Sequence, residues 1–502
     1  MNTLLQGLKA NTNFGYTENG AVTHITTMSD LYDMFALGGA YRTRSDEDCI
    51  VLFKKAYKEN PTYALKCLFY LRDVRGGQGE RRFFRVCLKW LANYDTEAAV
   101  RNISNVPTFG RYDDLYCLVG TKAEKVAFDF IKKQLMLDME CKTPSLLAKW
   151  LKSENTSSLE SVKLAKITRQ YLGMTSKQYR KTLSVLRAKI NVLERLMSAG
   201  KWADIEFDKI PSKAGLIYKN AFARHDVERM KVNPQVVSYE AFAKDENTTV
   251  NAKALYPYEV VQKAIDAMGG FSYWGRSKDV ALDDTNRLMV NKYWANLKDY
   301  FDGATLNALP VIDTSGSMWG LPIHVAISLG LYCAERNRGP FADHYISFSS
   351  RPQLIRTEGV DFCDKVKRIY ETNLCENTNI EATFDLILNT AIENNLSSDE
   401  LPENIIVISD MEFDAARGWE SNPAETLMEG IEKKWNRAGY KMPKLVFWNC
   451  AARNDRIPMR DQYGITFVSG ASPVIYEMIM SGKTAQDLMF DKLDSDRYAV
   501  IQ

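Results

Sequence analysis

Five short apolar runs follow residue 300: ALPVI (308–312), HYISF (344–348), NIIVIS (404–409), KLVFWNC (444–450) and ITFVS (465–469). Amphipathic stretches of helical period separate them, including IHVAISLGLYCAERN, NIEATFDLILNTAIENN, AETLMEGIEKKWNRAG and SPVIYEMIMSG. Continuous apolar strands alternating with helices bury both faces of a sheet, so this pattern predicts a doubly wound, mostly parallel α/β unit over residues 301–502. Ligands of such sheets bind beyond the carboxyl ends of the strands.

Residues 1–300 have a different texture. Apolar positions recur at helical spacing in DEDCIVLFKKAYKEN, PTYALKCLFYLRDV, RRFFRVCLKWLANY, AEKVAFDFIKKQLMLDM and YPYEVVQKAIDAMGG. In SKQYRKTLSVLRAKINVLERLM, Ser176 reads as an N-cap, and Tyr179, Leu183, Leu186, Ile190, Leu193 and Met197 form one apolar stripe. Successive helices with short connections predict a HEAT-like array of helix pairs, without a clean repeat period. The expected architecture is therefore α followed by α/β, in two domains.

The run VIDTSGSM (311–318) leaves the first of the five apolar runs. Three chemistries compete for it. A serine nucleophile would sit in GxSxG, whereas the order around Ser315 is Asp-Thr-Ser-Gly-Ser, and the histidines of this half, His324 and His344, read as structural. An aspartyl phosphate acceptor at Asp313 lacks an acid two positions on, because Ser315 stands there. A metal site needs hard oxygen donors from several strand ends. Asp313, Ser315 and Ser317 supply three, Thr378 in ENTNIEATFD and Asp410 in IVISDMEFD two more, and the set suits Mg²⁺ or Mn²⁺. Such an ion keeps an open position that a partner's acidic side chain can fill. Metal-assisted hydrolysis is a further alternative, with Glu412 and Asp414 close in sequence.

Charge divides the chain at the same place. Residues 1–300 carry 46 Lys+Arg against 34 Asp+Glu, and the remainder carries 19 against 29. The first half has the sign of a polyanion binder, with solubility alone as the alternative explanation. Its most concentrated run, FYLRDVRGGQGERRFFRVCLKWL, holds Arg72, Arg75, Arg81, Arg82 and Arg85 around three glycines, fit either for phosphate or for ion pairs with Asp73 and Glu80. GGQG is too short for a nucleotide loop. Lys177, Arg180, Lys181 and Arg187 line the polar face of the later helix, as a phosphate-contacting surface or as a solvated face. The aromatics of FSYWGRS read as core, with base stacking as the alternative.

Asp313-x-Ser315-x-Ser317, Thr378 and Asp410 together resemble the metal-ion-dependent adhesion site of a von Willebrand factor A domain. In that family the serines and threonine bind the ion directly or through water, and the aspartates hold it through water. A basic helical half before such a domain resembles the TROVE-module proteins, the Ro autoantigen family. The resemblance is closer to a related family carrying an RDVRGGxGER-like run, a KQYRKTLSVLR-like helix, a PSKAG-like turn and an ISDMEF-like strand end, here residues 72–82, 177–187, 211–215 and 408–413. It implies a non-enzymatic, Ro-like ribonucleoprotein component binding single-stranded RNA ends or a small structured RNA. A metal-dependent protein-interaction module without RNA is the alternative.

The start, MNTLLQGLKANTNFG, has no basic leader with a long apolar stretch, and no window approaches a membrane span. Nine scattered cysteines without a CxxC pair suit buried thiols in a reducing compartment. A soluble, cytoplasmic monomer is expected.

Overall fold

The computed structural model describes residues 13–268, 271–272, 275–276, 284–301, 303, 306–349, 351–372, 379–414, 426–458, 464–480 and 483–502. Residues 30–268 are helical apart from their connections. Beyond them, strands alternate with helices around a six-stranded sheet. The expected succession of a helical half and a mostly parallel α/β half is therefore the observed one. Tyr273 and Trp274 of FSYWGRS lie outside the described residues.

The chain opens with a hairpin of β1 (Phe14–Tyr16) and β2 (Val22–His24). The helices that follow take their starts from local chemistry. Ser45 and Asp48 form a capping box for Asp46–Glu59, Asn60 caps Pro61–Arg72, and Asp95 caps Thr96–Arg101. The helix predicted from Ser176 starts there but is capped by Thr175, and it stops at Lys189. Asn191 then takes a left-handed conformation (φ 47°), and a separate short helix, Leu193–Ser198, carries the end of the apolar stripe. A two-residue ladder, β3 (Phe271–Ser272) with β4 (Gly275–Arg276), precedes the helix Asp284–Ala295.

The sheet contains β5 (Ala308–Asp313), β6 (His344–Phe348), β7 (Leu354–Arg356), β8 (Asn404–Ser409), β9 (Lys444–Asn449) and β10 (Ile465–Ser469). Their order is β10-β9-β8-β5-β6-β7, parallel except for the antiparallel edge strand β7. The chain builds outward from β5 through β6 to β7, then returns to the other side of β5 with β8. The direction of winding reverses between β5 and β8, which opens a crevice at their carboxyl ends.

Side chains alternate across the sheet as the two-residue period demands. Leu309, Val311, Ile405, Val407, Leu445 and Phe447 share one buried cluster with residues of the helical half between Ala21 and Leu186. Ile312, Ile406, Ile408, Val446 and Trp448 share the other with residues from Leu193 to Leu306. The helical half thus contributes to the core on both faces.

Three seams fasten the halves around the carboxyl ends of the strands. The turn after Arg72 is held by Gln78 Nε2 donating to the Tyr70 hydroxyl (2.8 Å) and by an ion pair between Glu80 and Arg42. Beside it, Gly39 N–H donates to Ser469 Oγ at the end of β10 (3.0 Å). At the C-terminus, Arg497 and the Tyr498 hydroxyl both donate to the buried carboxylate of Asp73, and Gln502 N–H donates to Asn102 Oδ1 (3.0 Å). The hairpin tip sits on the segment after β8, with Thr17 Oγ1 donating to the Phe413 carbonyl (2.7 Å) and Glu18 N–H to Glu412 Oε2 (2.6 Å). Among the described residues no helix is long and apolar enough to cross a membrane.

Candidate functional site

Asp313 is the last residue of β5, and Asp410 directly follows β8, so the two carboxylates flank the crevice at the reversal point. Each shapes the turn that leaves its strand. Ser315 N–H donates to Asp313 Oδ1 (2.9 Å) and Glu412 N–H to Asp410 Oδ1 (3.2 Å), both two residues on, which is the local turn that aspartate favours. After Ser315 the chain forms one 3₁₀ turn, Gly316–Met318, and reverses through Gly320 at φ 93° into the helix Leu321–Arg336. That turn brings the Ser315 and Ser317 hydroxyls to 3.1 Å of each other.

The second oxygens of the two aspartates differ. Asp313 Oδ2 accepts from Ser409 Oγ at 2.5 Å, and that hydroxyl accepts in turn from Met411 N–H (3.0 Å), with Met411 in the left-handed region (φ 65°). Among the described residues Asp410 Oδ2, which is buried, has no hydrogen-bond partner. A buried carboxylate oxygen normally has one, so this atom marks a place for a ligand.

Both aspartates are fully buried, and burial pushes both carboxyls above the usual range. Repulsion from Asp410 adds to the shift at Asp313. At Asp410 the Ser317 hydroxyl, Glu412 N–H and Arg453 act in the opposite direction, and Glu18 adds to the rise. Two crowded carboxyls, an orphaned oxygen and two adjacent hydroxyls fit a hard divalent cation, which replaces repulsion by attraction. Among the described residues no three His, Cys, Asp or Glu side chains come together, and the side-chain oxygens gathered here are those of two aspartates and two serines. Thr378 lies outside the described residues.

Glu412, a nearby candidate base, is committed elsewhere: Oε2 accepts from Glu18 N–H and Oε1 from Asn454 Nδ2 (3.0 Å). Asp414 bridges Gly20 of the hairpin. His344 Nδ1 lies 2.7 Å from the Ala342 carbonyl, and burial lowers the His324 imidazole to about 4. Ser409, the residue that orients Asp313, carries no signal in the sequence beyond closing an apolar strand. The Glu18–Arg453 ion pair (3.1 Å) beside the site joins residues more than 400 positions apart, beyond any local motif.

The predicted RNA-contacting residues separate into two groups. Arg72 is buried and paired with Asp114 (2.7 Å), and Arg85 pairs with Asp113 and Asp114 (3.1 and 2.6 Å). Arg82 pairs with Asp46. Arg187 donates to the Ala148 and Leu151 carbonyls (2.8 and 2.9 Å) and to Ser153. These four serve internal contacts, and Arg72 in particular is inaccessible to phosphate. The ion-pair explanation of the arginine run thus applies, with partners in the 111–114 turn and at Asp46 rather than Asp73 or Glu80. Arg75, Arg81, Lys177, Arg180 and Lys181 are exposed.

Fold and site define a two-part protein, helical and then doubly wound α/β, with a cradle of hydroxyls and carboxylates at the point where the sheet reverses. The chain belongs to the family described as a domain of unknown function, DUF2828, matched over residues 17–137 and 136–300, and a second domain of unknown function, DUF7788, matches residues 307–498. It is 30% identical to "Uncharacterized protein L728" of Acanthamoeba polyphaga mimivirus over 510 residues, 94% of this chain and 85% of that protein. Among solved structures, the crystal structure of the Deinococcus radiodurans RO (RSR) protein matches with a TM-score of 0.46 and 12% identity, covering 93% of this chain and 99% of that one.

Proposed function

We propose that this protein is a non-enzymatic RNA-binding protein whose α/β half holds a divalent cation, Mg²⁺ or Mn²⁺, through Asp313, Ser315, Ser317 and Asp410, with Thr378 as a further donor. The observation that carries the cation is the meeting of two buried carboxyls at the sheet's reversal point, one oxygen of Asp410 having no partner among the described residues. The bound ion supplies a positive centre with an open position, and Asp313, fixed by Ser409 and Ser315 N–H, keeps the cradle in shape without it.

RNA binding is supported by the excess of 12 positive charges over residues 1–300, by the exposed set Arg75, Arg81, Lys177, Arg180 and Lys181, and by the resemblance of a basic helical half followed by such an α/β domain to the Ro family. A second reading, a metal-bridged contact with a partner's Asp or Glu, is favoured by Trp319, 36% exposed at the end of the Asp313 turn, where an apolar anchor would flank the ion.

Titration calorimetry with Mg²⁺ and Mn²⁺ tests the cation: saturable binding is expected, weakened at least tenfold in Asp410→Asn, and equal heats from both proteins would refute it. Filter binding of RNA at two salt concentrations, with and without EDTA, tests the ligand. Retention that falls steeply with salt supports RNA. Loss of all retention at low salt, together with EDTA-sensitive capture of an acidic peptide, supports the second reading instead.

A further inference from the structure

Arg111 occupies an unusual electrostatic position. It follows Gly110, where a Cβ would collide with Asp114 Oδ2 and approach Arg72 Nε to 2.8 Å, so the chain here is pressed against the buried Arg72–Asp114 pair. From there the Arg111 guanidinium reaches 4.4 Å above the ring of Trp150, and Lys149 Nζ lies 5.8 Å from the same ring. Burial and then the nearby Arg81 charge make the protonated form of Arg111 costly, Asp113 opposes them, and Arg72 adds to the repulsion.

The carboxylates nearby are already engaged. Asp114 is shared by Arg72 and Arg85, and Asp113 by Arg85 and Lys152 (3.7 Å). Among the described residues Arg81, Arg111 and Lys149 have no carboxylate within ion-pair distance. The carbonyls at the end of the Leu147–Trp150 helix, which could also offset positive charge, accept from Arg187. Two cations thus share one indole, with Arg81 near enough to act on Arg111, and too few anions offset them. The same stretch that spends Arg72, Arg82 and Arg85 internally leaves this surface positive.

We infer that Arg111 and Lys149, which share the Trp150 ring, form together with the neighbouring Arg81 a binding site for the phosphodiester backbone of single-stranded RNA. This rests on the RNA-binding reading above. The guanidinium forks match phosphate oxygens, several cations suit a repeated charge better than one anion, and the indole offers a surface for a base beside the backbone. The face Lys177–Lys181 lies on a separate helix, and among the described residues its cations have no aromatic partner.

The test is fluorescence anisotropy of a labelled oligouridylate with the full chain at several salt concentrations. Wild type is compared with Arg81→Ala/Arg111→Ala and with Trp150→Leu, and thermal melting confirms folding. The double variant is expected to bind at least tenfold more weakly at low salt, with a log–log salt slope shallower by about 0.7 for each contact removed. Trp150→Leu should weaken binding and leave the slope near wild type. Because Arg111 packs on Trp150, Arg81→Ala alone, at an exposed residue, provides the charge test if the double variant unfolds. An unchanged affinity and slope in a folded variant would overturn this site while leaving RNA binding in place. A wild type that fails to bind at low salt would remove the RNA reading itself. Uridine monophosphate competing as well as the oligomer at equal nucleotide concentration would overturn the strand in favour of a small-anion site.

Discussion

Asp313 and Asp410 are each held by a turn that a short Asp or Asn side chain makes, and each accepts the N–H two residues on, so the strand ends present them at fixed angles. Their carboxyls titrate above the unfolded value, so between the two values the folded state binds more protons than the unfolded one. The slope of unfolding free energy with pH is then negative: the stabilising protons are present near pH 4 and are lost as pH rises through the folded values. Without divalent ions, wild type is expected to lose roughly 1–3 kcal/mol more stability than Asp410→Asn between about pH 5 and about pH 8 in urea titrations. Saturating Mg²⁺ should abolish that difference by giving the second charge a partner. A wild type and a variant that run parallel across the range, with and without Mg²⁺, would show that the two carboxyls do not crowd each other. The placing of Asp313, Ser315, Ser317 and Asp410 at strand ends was legible because DxSxS after an apolar run and a strand-ending Asp are local patterns. Ser409 was not, since only the pairing of β5 with β8 brings its hydroxyl to Asp313.

Elements buried on both faces were the legible ones. All five continuous apolar runs after residue 300 are strands of the sheet, because a strand with helices on either side has no polar face. The edge strand β7 escaped notice: its three residues, Leu354–Arg356, are half-exposed or exposed and carry no alternation. The N-terminal hairpin was equally silent, since it is held by the segments 412–413 and 457 rather than by an apolar pattern. The arginine-rich turn was visible but ambiguous, and its glycines explain why it is built as it is. At Gly77 a Cβ would overlap the Tyr70 carbonyl, so the turn folds back directly onto the helix it leaves. Gly77→Ala is expected to cost about 3 kcal/mol, as overpacking against an immovable backbone does. Gly120→Ala, at φ 80° with nothing within 4 Å, should cost only about 1 kcal/mol of left-handed strain. Urea midpoints of the two variants check this ranking, and equal midpoints would mean that the turn yields where its packing says it cannot.

At the scale of the whole molecule the decisive feature is that neither half closes its core alone. Helices from the first 190 residues pack with one face of the sheet, and helices from residues 193–306 with the other, so the sheet lies between two parts of the preceding chain. The C-terminus then returns to the helical half, where Arg497 and Tyr498 converge on Asp73, which is wholly buried at the end of the helix Pro61–Arg72. A chain fastened in this way should unfold as one unit despite its length. Scanning calorimetry is expected to give a single transition whose van't Hoff and calorimetric enthalpies agree. Asp73→Ala removes the acceptor of both C-terminal donors and leaves Arg497 without its partner, so it should lower that transition by the equivalent of about 3 kcal/mol without splitting it. Two resolved transitions in wild type would show that the shared cores do not couple the halves. A transition that splits only in Asp73→Ala would instead locate the coupling in the C-terminal contact, and cation bound at Asp313 and Asp410 would then stabilise the transition of the α/β half alone.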